Sequence, residues 1–173
     1  MIQGKSILMI IASKDFRDEE LFHTREVLEQ NGGKVTVAST TRETITGMLG
    51  KTAVADILLS EANQADYDAI VFVGGFGAQE YFNDSTAQSL ARKAAKDGKV
   101  LGAICIAPSI LANAGLLKGV KATVYESERD NLVRNGAQYT GDKVTKDGDI
   151  VTANGPEAAR AFGKALVGKI AEK

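Results

Sequence analysis

The residue in this chain best suited to nucleophilic chemistry is Cys105, the single cysteine among 173 residues. It stands in Ala103-Ile104-Cys105-Ile106-Ala107, where a short apolar run gives way to a helical stretch starting at Pro108. Small residues two places before and two after permit a sharp strand-to-helix turn. Such a turn lifts a side chain above the edge of a sheet, as in a nucleophile elbow. Amides at the start of the following helix then point at the sulfur and favour thiolate over thiol. Open α/β sheets also bind ligands at the carboxyl ends of their strands, where this cysteine falls. The plainer alternative is a buried structural thiol.

Other chemistries are excluded by counting. One Cys and one His, His23, cannot form an intramolecular disulfide or a thiolate/imidazole zinc cluster. Cys105 with His23 is therefore the one Cys–His pair available, and neither a metal nor a cofactor is expected. Gly50-Lys51-Thr52 imitates the end of a phosphate-binding loop, but the required earlier glycine position holds Ile45. Gly75-Phe76-Gly77 imitates a dinucleotide fingerprint, yet its third glycine position is Glu80. Lys and Arg total 21 against 22 Asp and Glu, with no block of like charge. That balance argues against nucleic acid and against a polybasic membrane contact. The apolar run Ile7 to Ala12 is too short for a membrane span or a signal-peptide core, so a cytoplasmic address is expected.

The elements that must position Cys105 alternate between strands and helices. Ser6–Ala12, Lys34–Ser39, Asp68–Val73 and Val100–Ile104 are short apolar runs of the kind that form strands covered on both faces. Helices are predicted over Glu20–Asn31, from Asp84 or Ser85 to Asp97, over Pro108–Ala114, near Asp130–Arg134, and from Gly155-Pro156 to the C-terminus. Thr44–Asp56 reads as a hairpin beside the main sheet. A short strand is expected near Ala122–Tyr125, and two more, Asp142–Lys146 and Asp149–Ala153, around an Asp147-Gly148 turn. No repeat or linker interrupts the pattern. The expectation is one domain over residues 1–173: a three-layer α/β/α sandwich with a mostly parallel sheet.

The string from Gly102 to Leu111 resembles the nucleophile elbow of the DJ-1/PfpI superfamily, relatives of class I glutamine amidotransferases. Phe16-Arg-Asp-Glu-Glu-Leu21 looks like that family's opening acidic motif. Val71-Phe-Val-Gly-Gly75 looks like its strand and glycine pair, and Asn154-Gly155-Pro156 like its closing turn. The four motifs occur in order across essentially the whole chain. The resemblance implies a flavodoxin-like fold, Cys105 as nucleophile and Glu20 as the carboxyl beside its sulfur. A carboxylate there would oppose the thiolate, so Glu20 must be largely protonated, able to donate to sulfur and later carry a proton. Gly75 and the backbone near Ile106 would supply donors for an oxyanion. A dimer or higher homo-oligomer is implied as well, with Glu80 a loose candidate for a contribution across subunits.

The departures from the family pattern bear on the reaction. Protease-like members carry a histidine directly after the nucleophile, where this chain has Ile106. Another branch supplies one after the next strand, where Tyr125 stands. An ordinary Cys-His-acid hydrolase acting on peptides, or an amidase, is thereby weakened. His23, three residues after Glu20, can share its helical face, either as an unusual partner or as a surface residue. The leading expectation is a cysteine-dependent enzyme that handles small reactive carbonyls, such as methylglyoxal, or their adducts, with a small-molecule electrophile as substrate. The alternative from another class is a redox sensor or holdase, in which an exposed, low-pKa thiol is oxidised to sulfinate beside Glu20.

Overall fold

The computed structural model describes residues 1–173. In chain order its strands are β1 (Ser6–Ile10), β2 (Lys34–Ser39), β3 (Ile45–Thr46), β4 (Thr52–Ala53), β5 (Ile57–Leu58), β6 (Ala69–Phe72), β7 (Val100–Ile104), β8 (Lys121–Ala122), β9 (Gln138–Tyr139), β10 (Val144–Asp147) and β11 (Ile150–Ala153). The helices are α1 (Asp18–Gln30), α2 (Ser85–Lys96), α3 (Pro108–Asn113), α4 (Arg129–Arg134) and α5 (Ala159–Ala171).

Seven strands form the main sheet in the order β10-β11-β7-β6-β1-β2-β5. All neighbours run parallel except β10 and β11, an antiparallel pair turning at Gly148. The apolar runs are continuous because both faces are covered. In β1, Ile7 and Met9 belong to the same packed cluster as Leu21 and Leu28 of α1 and Phe162 and Leu166 of α5. Leu8 and Ile10 point the other way, into the cluster with Leu90, Ala91 and Ala94 of α2 and Ile110 and Leu111 of α3. The expected three-layer, flavodoxin-like sandwich is the observed architecture. No helix is long and apolar enough to cross a membrane.

The chain leaves β1 toward β2 and β5 on one side, then returns through β6 to β7 and β11 on the other. Strand order therefore reverses between β1 and β6, and their carboxyl ends open a crevice of the type in which such sheets bind ligands. The loops there are stitched together: the Arg17 N–H donates to the Gly74 carbonyl at 3.0 Å, and the Gly77 N–H to the Asp15 carbonyl at 3.0 Å.

Several boundaries differ from the sequence expectations. Helix α1 begins at Asp18, two residues before Glu20, with Asp18 buried beneath the β3–β4 hairpin. Its carboxylate accepts the Leu49 and Lys51 N–H groups, each at 2.9 Å. Helix α2 starts as read, with Asp84 accepting the Ala87 N–H at 2.9 Å. The strand expected at Ala122–Tyr125 is displaced to Lys121–Ala122 and pairs with Gln138–Tyr139 in a small parallel ladder. After Ala122 the backbone leaves that ladder, and the Thr123 N–H turns to the Thr152 hydroxyl at 3.0 Å. Pro156–Ala158 forms a single 3-10 turn before α5, and β5 is an edge strand too short to show a period.

At Gly102 in β7 an added Cβ would lie 2.9 Å from Leu166 Cδ2 and 3.0 Å from Phe162 Cζ. Helix α5 thus packs directly onto strand backbone three residues before the cysteine. Gly102→Val is expected to destabilise the fold by about 1–3 kcal/mol through overpacking, read as a lower urea midpoint with an unchanged slope.

Candidate active site

Strand β7 delivers Cys105 to the crevice and the backbone then turns sharply. Cys105 has φ of 64°, a left-handed conformation that costs a side-chain-bearing residue about 1–2 kcal/mol. Two backbone bonds hold it there: its N–H donates to the Ala153 carbonyl at 2.9 Å, and its carbonyl accepts the Tyr125 N–H at 2.8 Å. The small neighbours Ala103 and Ala107 are fully buried, as the tight turn requires. The expected elbow is present.

Glu20, in the first turn of α1, comes at the sulfur from the other side of Gly74. A Cβ on Gly74 would stand 2.5 Å from Glu20 Oε1 and 2.6 Å from Cys105 Cβ, so glycine at this position is what lets acid and thiol approach. Gly75 follows with φ of 103°, and a Cβ there would run into the Arg17 backbone nitrogen. The Gly75 and Ile106 N–H groups both face the sulfur and favour its ionised form. The two amides expected as oxyanion donors are thus directed at the sulfur itself.

Burial dominates the electrostatics. Glu20 is fully buried and neither carboxyl oxygen has a hydrogen-bond partner of ordinary geometry. Loss of solvation pushes it up to about 8, against the opposing pull of Cys105, the Arg17 cation and the Gly74 N–H. At neutral pH it is therefore mostly the neutral acid, as the chemistry of the pair demands. Cys105 departs from expectation: its residue is 8% exposed, and the thiol is pushed up to about 12. Burial is the larger cause, the charge Glu20 would carry comes next, and the two amides only partly offset them. Helix α3, six residues long, does not overcome this desolvation. The thiol is neither exposed nor of low pKa. The two groups form a coupled pair in which loss of the first proton strongly suppresses loss of the second.

Cys105 lines a cleft of about 380 Å³ whose walls include Arg17, Phe76, Ile106, Tyr125 and Glu128. Tyr125 is there, half exposed, as the sequence suggested. His23 is not: it stands in a separate depression with Asp18, Glu19 and Lys51, because its position on α1 turns it toward the hairpin rather than the sulfur. Glu80 also lies outside the cleft, its carboxylate taken up by the N–H and hydroxyl of Ser13. Arg17, Met48, Phe76 and Glu128 were not anticipated. Arg17 lies inside the acidic motif, and its guanidinium bonds Glu19 through Nε and Nη2, both at 3.1 Å. Its positive charge also acts on Glu20 and Cys105. Met48 reaches the cleft from the hairpin tip, its thioether accepting the Phe76 N–H at 3.3 Å.

The raised Glu20 value makes stability depend on pH with a defined sign. The native state holds this proton more tightly than the unfolded chain, whose value is near 4.5, so stability falls as pH rises from there toward 8. Glu20→Gln removes the titration. Relative to that variant, the wild type is expected to lose on the order of 3 kcal/mol between pH 4.5 and pH 7, measured as urea midpoints across the range.

The fold and the cleft have counterparts among known proteins. The family model described as the DJ-1/PfpI family matches residues 5–169. A deglycase of Pyrococcus horikoshii is 31% identical over 160 residues, covering 92% of this chain and 96% of the relative. A glutathione-independent glyoxalase of Caenorhabditis elegans is 26% identical over 167 residues, covering 96% and 89%. The crystal structure of a ThiJ/PfpI domain protein from Brachyspira murdochii superposes with a TM-score of 0.96 at 32% identity, covering 99% of each chain. An elbow cysteine, a buried acid beside it and a family match over nearly its whole length all agree: this chain belongs to the DJ-1/PfpI family.

Proposed function

We propose that this chain is a cofactor-independent enzyme of the deglycase and glyoxalase type, with Cys105 as nucleophile and Glu20 as the acid–base group. The observation that carries this reading is the buried pair itself: a thiol with two amide donors on its sulfur and, beside it, a carboxyl neutral at neutral pH. The names of the two relatives point to the same reaction class.

The reactive form is the pair after loss of one proton, in its less populated tautomer, with the charge on sulfur and the remaining proton on Glu20; the carboxyl, the stronger acid of the two, carries the charge in the other tautomer. Sulfur adds to the aldehyde carbon of an α-oxoaldehyde. A C–S bond forms, and the carbonyl oxygen takes the Glu20 proton, giving a hemithioacetal and a carboxylate. With an amine adduct the same bond forms while the C–N bond breaks, and the amine leaves with that proton. The carboxylate then removes the hydrogen on the sulfur-bearing carbon as a proton and passes it to the neighbouring ketone oxygen, and an enediol forms. A proton then moves by way of Glu20 from the hydroxyl on the sulfur-bearing carbon to the adjacent carbon, leaving a thioester of a 2-hydroxy acid. Water cleaves it and returns the thiol, so methylglyoxal plus water becomes lactate. The Gly75 and Ile106 amides favour negative charge at the sulfur before the C–S bond forms and again when the thioester is cleaved.

Peptide hydrolysis finds less support, because no histidine lines the cleft to pair with Cys105 as the general base of a Cys-His hydrolase.

Two expectations follow from the chemistry of the pair. Methylglyoxal turnover without added thiol or metal should fall at least about a hundredfold in Cys105→Ser and in Glu20→Gln. The alkylation rate of Cys105 should rise with pH through an inflection near 8, where the pair loses its first proton, and that inflection should vanish in Glu20→Gln. A rate already level below pH 6 would overturn the coupled-pair account, and wild-type turnover no higher than that of Cys105→Ser would overturn the enzyme.

A further inference from the structure

Negative charge develops at two places in the chemistry proposed above: on sulfur, and on the ketone oxygen as the enediol forms. The Gly75 and Ile106 amides serve the first, since both face the sulfur. The second calls for a separate donor. Much of the cleft wall cannot supply one. The Phe76 N–H is taken by the Met48 thioether at 3.3 Å, and Gln79 Nε2 donates to the Phe76 carbonyl at 3.2 Å. Glu128 offers only acceptor oxygens, one of them engaged by the Ser109 hydroxyl at 2.7 Å. Tyr125 and Ser127 bring hydroxyl groups, which carry no positive charge. Arg17 is the one cation on the wall.

Arg17 is fixed at both ends. Its backbone N–H donates to the Gly74 carbonyl at 3.0 Å, and its nitrogen packs against the place where a Cβ on Gly75 would stand. The residue therefore hangs from the same glycine pair that lets Glu20 approach Cys105. At the far end the guanidinium forks onto Glu19, Nε to Oε1 and Nη2 to Oε2, both at 3.1 Å. A guanidinium has five N–H groups. The fork uses one on each of two nitrogens, so Nη1 and the second Nη2 hydrogen have no protein acceptor. The fork also keeps the cation off the acid. Glu20 feels the charge of Arg17, yet its carboxyl oxygens have no hydrogen-bond partner of ordinary geometry. A direct bond there would hold Glu20 ionised and remove the proton on which the chemistry depends.

We propose that Arg17 is a further catalytic residue, whose free guanidinium N–H groups bind the ketone oxygen of the sulfur-bound substrate and stabilise the negative charge that reaches it during C–H cleavage. The inference rests on the function proposed above and deepens it. As Glu20 takes the proton from the sulfur-bearing carbon, the C–H electron pair becomes the new C=C bond. The carbonyl π pair moves onto oxygen. Arg17 holds that oxygen until Glu20 delivers the proton to it. The guanidinium stays cationic throughout and transfers no proton itself.

Methylglyoxal carrying deuterium on its aldehyde carbon tests this role. Each variant is assayed above its own alkylation inflection, so that ionisation of the pair does not limit the rate. In Arg17→Met, kcat should fall about a hundredfold. The isotope effect should be at least as large as the wild type's, because the loss falls on C–H cleavage. Iodoacetamide alkylation of Cys105 develops no charge on a bound ketone oxygen, and under the same conditions it should keep its wild-type rate. Methylguanidinium added to Arg17→Ala should restore part of the lost turnover, which a merely structural role would not allow. Wild-type turnover in Arg17→Met, a joint loss of turnover and alkylation, or a loss in which the isotope effect disappears each overturns the proposal. A wild type that is alkylated normally but turns over no methylglyoxal overturns the enzyme reading, and this role with it.

Discussion

The close approach of Glu20 to Cys105 across Gly74 is the contact on which the rest of the site depends. Neither group would sit there unaided: the carboxyl is fully buried without a strong hydrogen-bond partner, and the thiol is nearly so. Burial makes both reluctant to ionise, and the second to do so is more reluctant than the first. A buried pair that holds one readily exchangeable proton between oxygen and sulfur suits chemistry in which a proton is given, taken back and moved from carbon to oxygen. Arg17 moderates the cost, and its own tie to Glu19 keeps it from pairing fully with Glu20.

The surrounding fold is arranged to make that approach possible. The strand order reverses between β1 and β6, so the loops after both strands must pass close together. Gly74 and Gly75 allow the passage, since a side chain at either would meet the cysteine, the acid or the backbone at Arg17. The left-handed conformation at Cys105 is compatible with this only because β11 and the Tyr125 segment hold its backbone from both directions. Strain at the elbow and close packing at the glycines are two parts of one constraint.

The layers and central strands were legible in the sequence because strands buried on both faces have a plain signature in runs such as SILMIIA and AIVFV. Cys105, Glu20, Gly75 and Ile106 were legible as well, each inside a recognisable local string. Met48 and Glu128 were not: one arrives on a hairpin tip and the other through the packing of α3 against α4, and neither leaves a local pattern. Nor could the string around Cys105 disclose the balance of its ionisation. Adjacent amides favour the thiolate, but the degree of desolvation is set by α1 and by the glycine loop, far away in the chain. His23 illustrates the converse, since three residues along a helix from Glu20 is near in sequence yet faces a different depression.

The first turn of α1 has a second role. Asp18 grips the hairpin through the Leu49 and Lys51 amides while Glu20, two residues on, faces the sulfur. Chemistry and entrance are thereby mounted on one rigid turn but carried by different side chains. The hairpin tip, where Met48 meets Phe76, works like the interchangeable jaw of a tool whose grip is fixed. A change at Met48 would reshape the cleft wall beside Phe76 without touching the contact between Glu20 and Cys105.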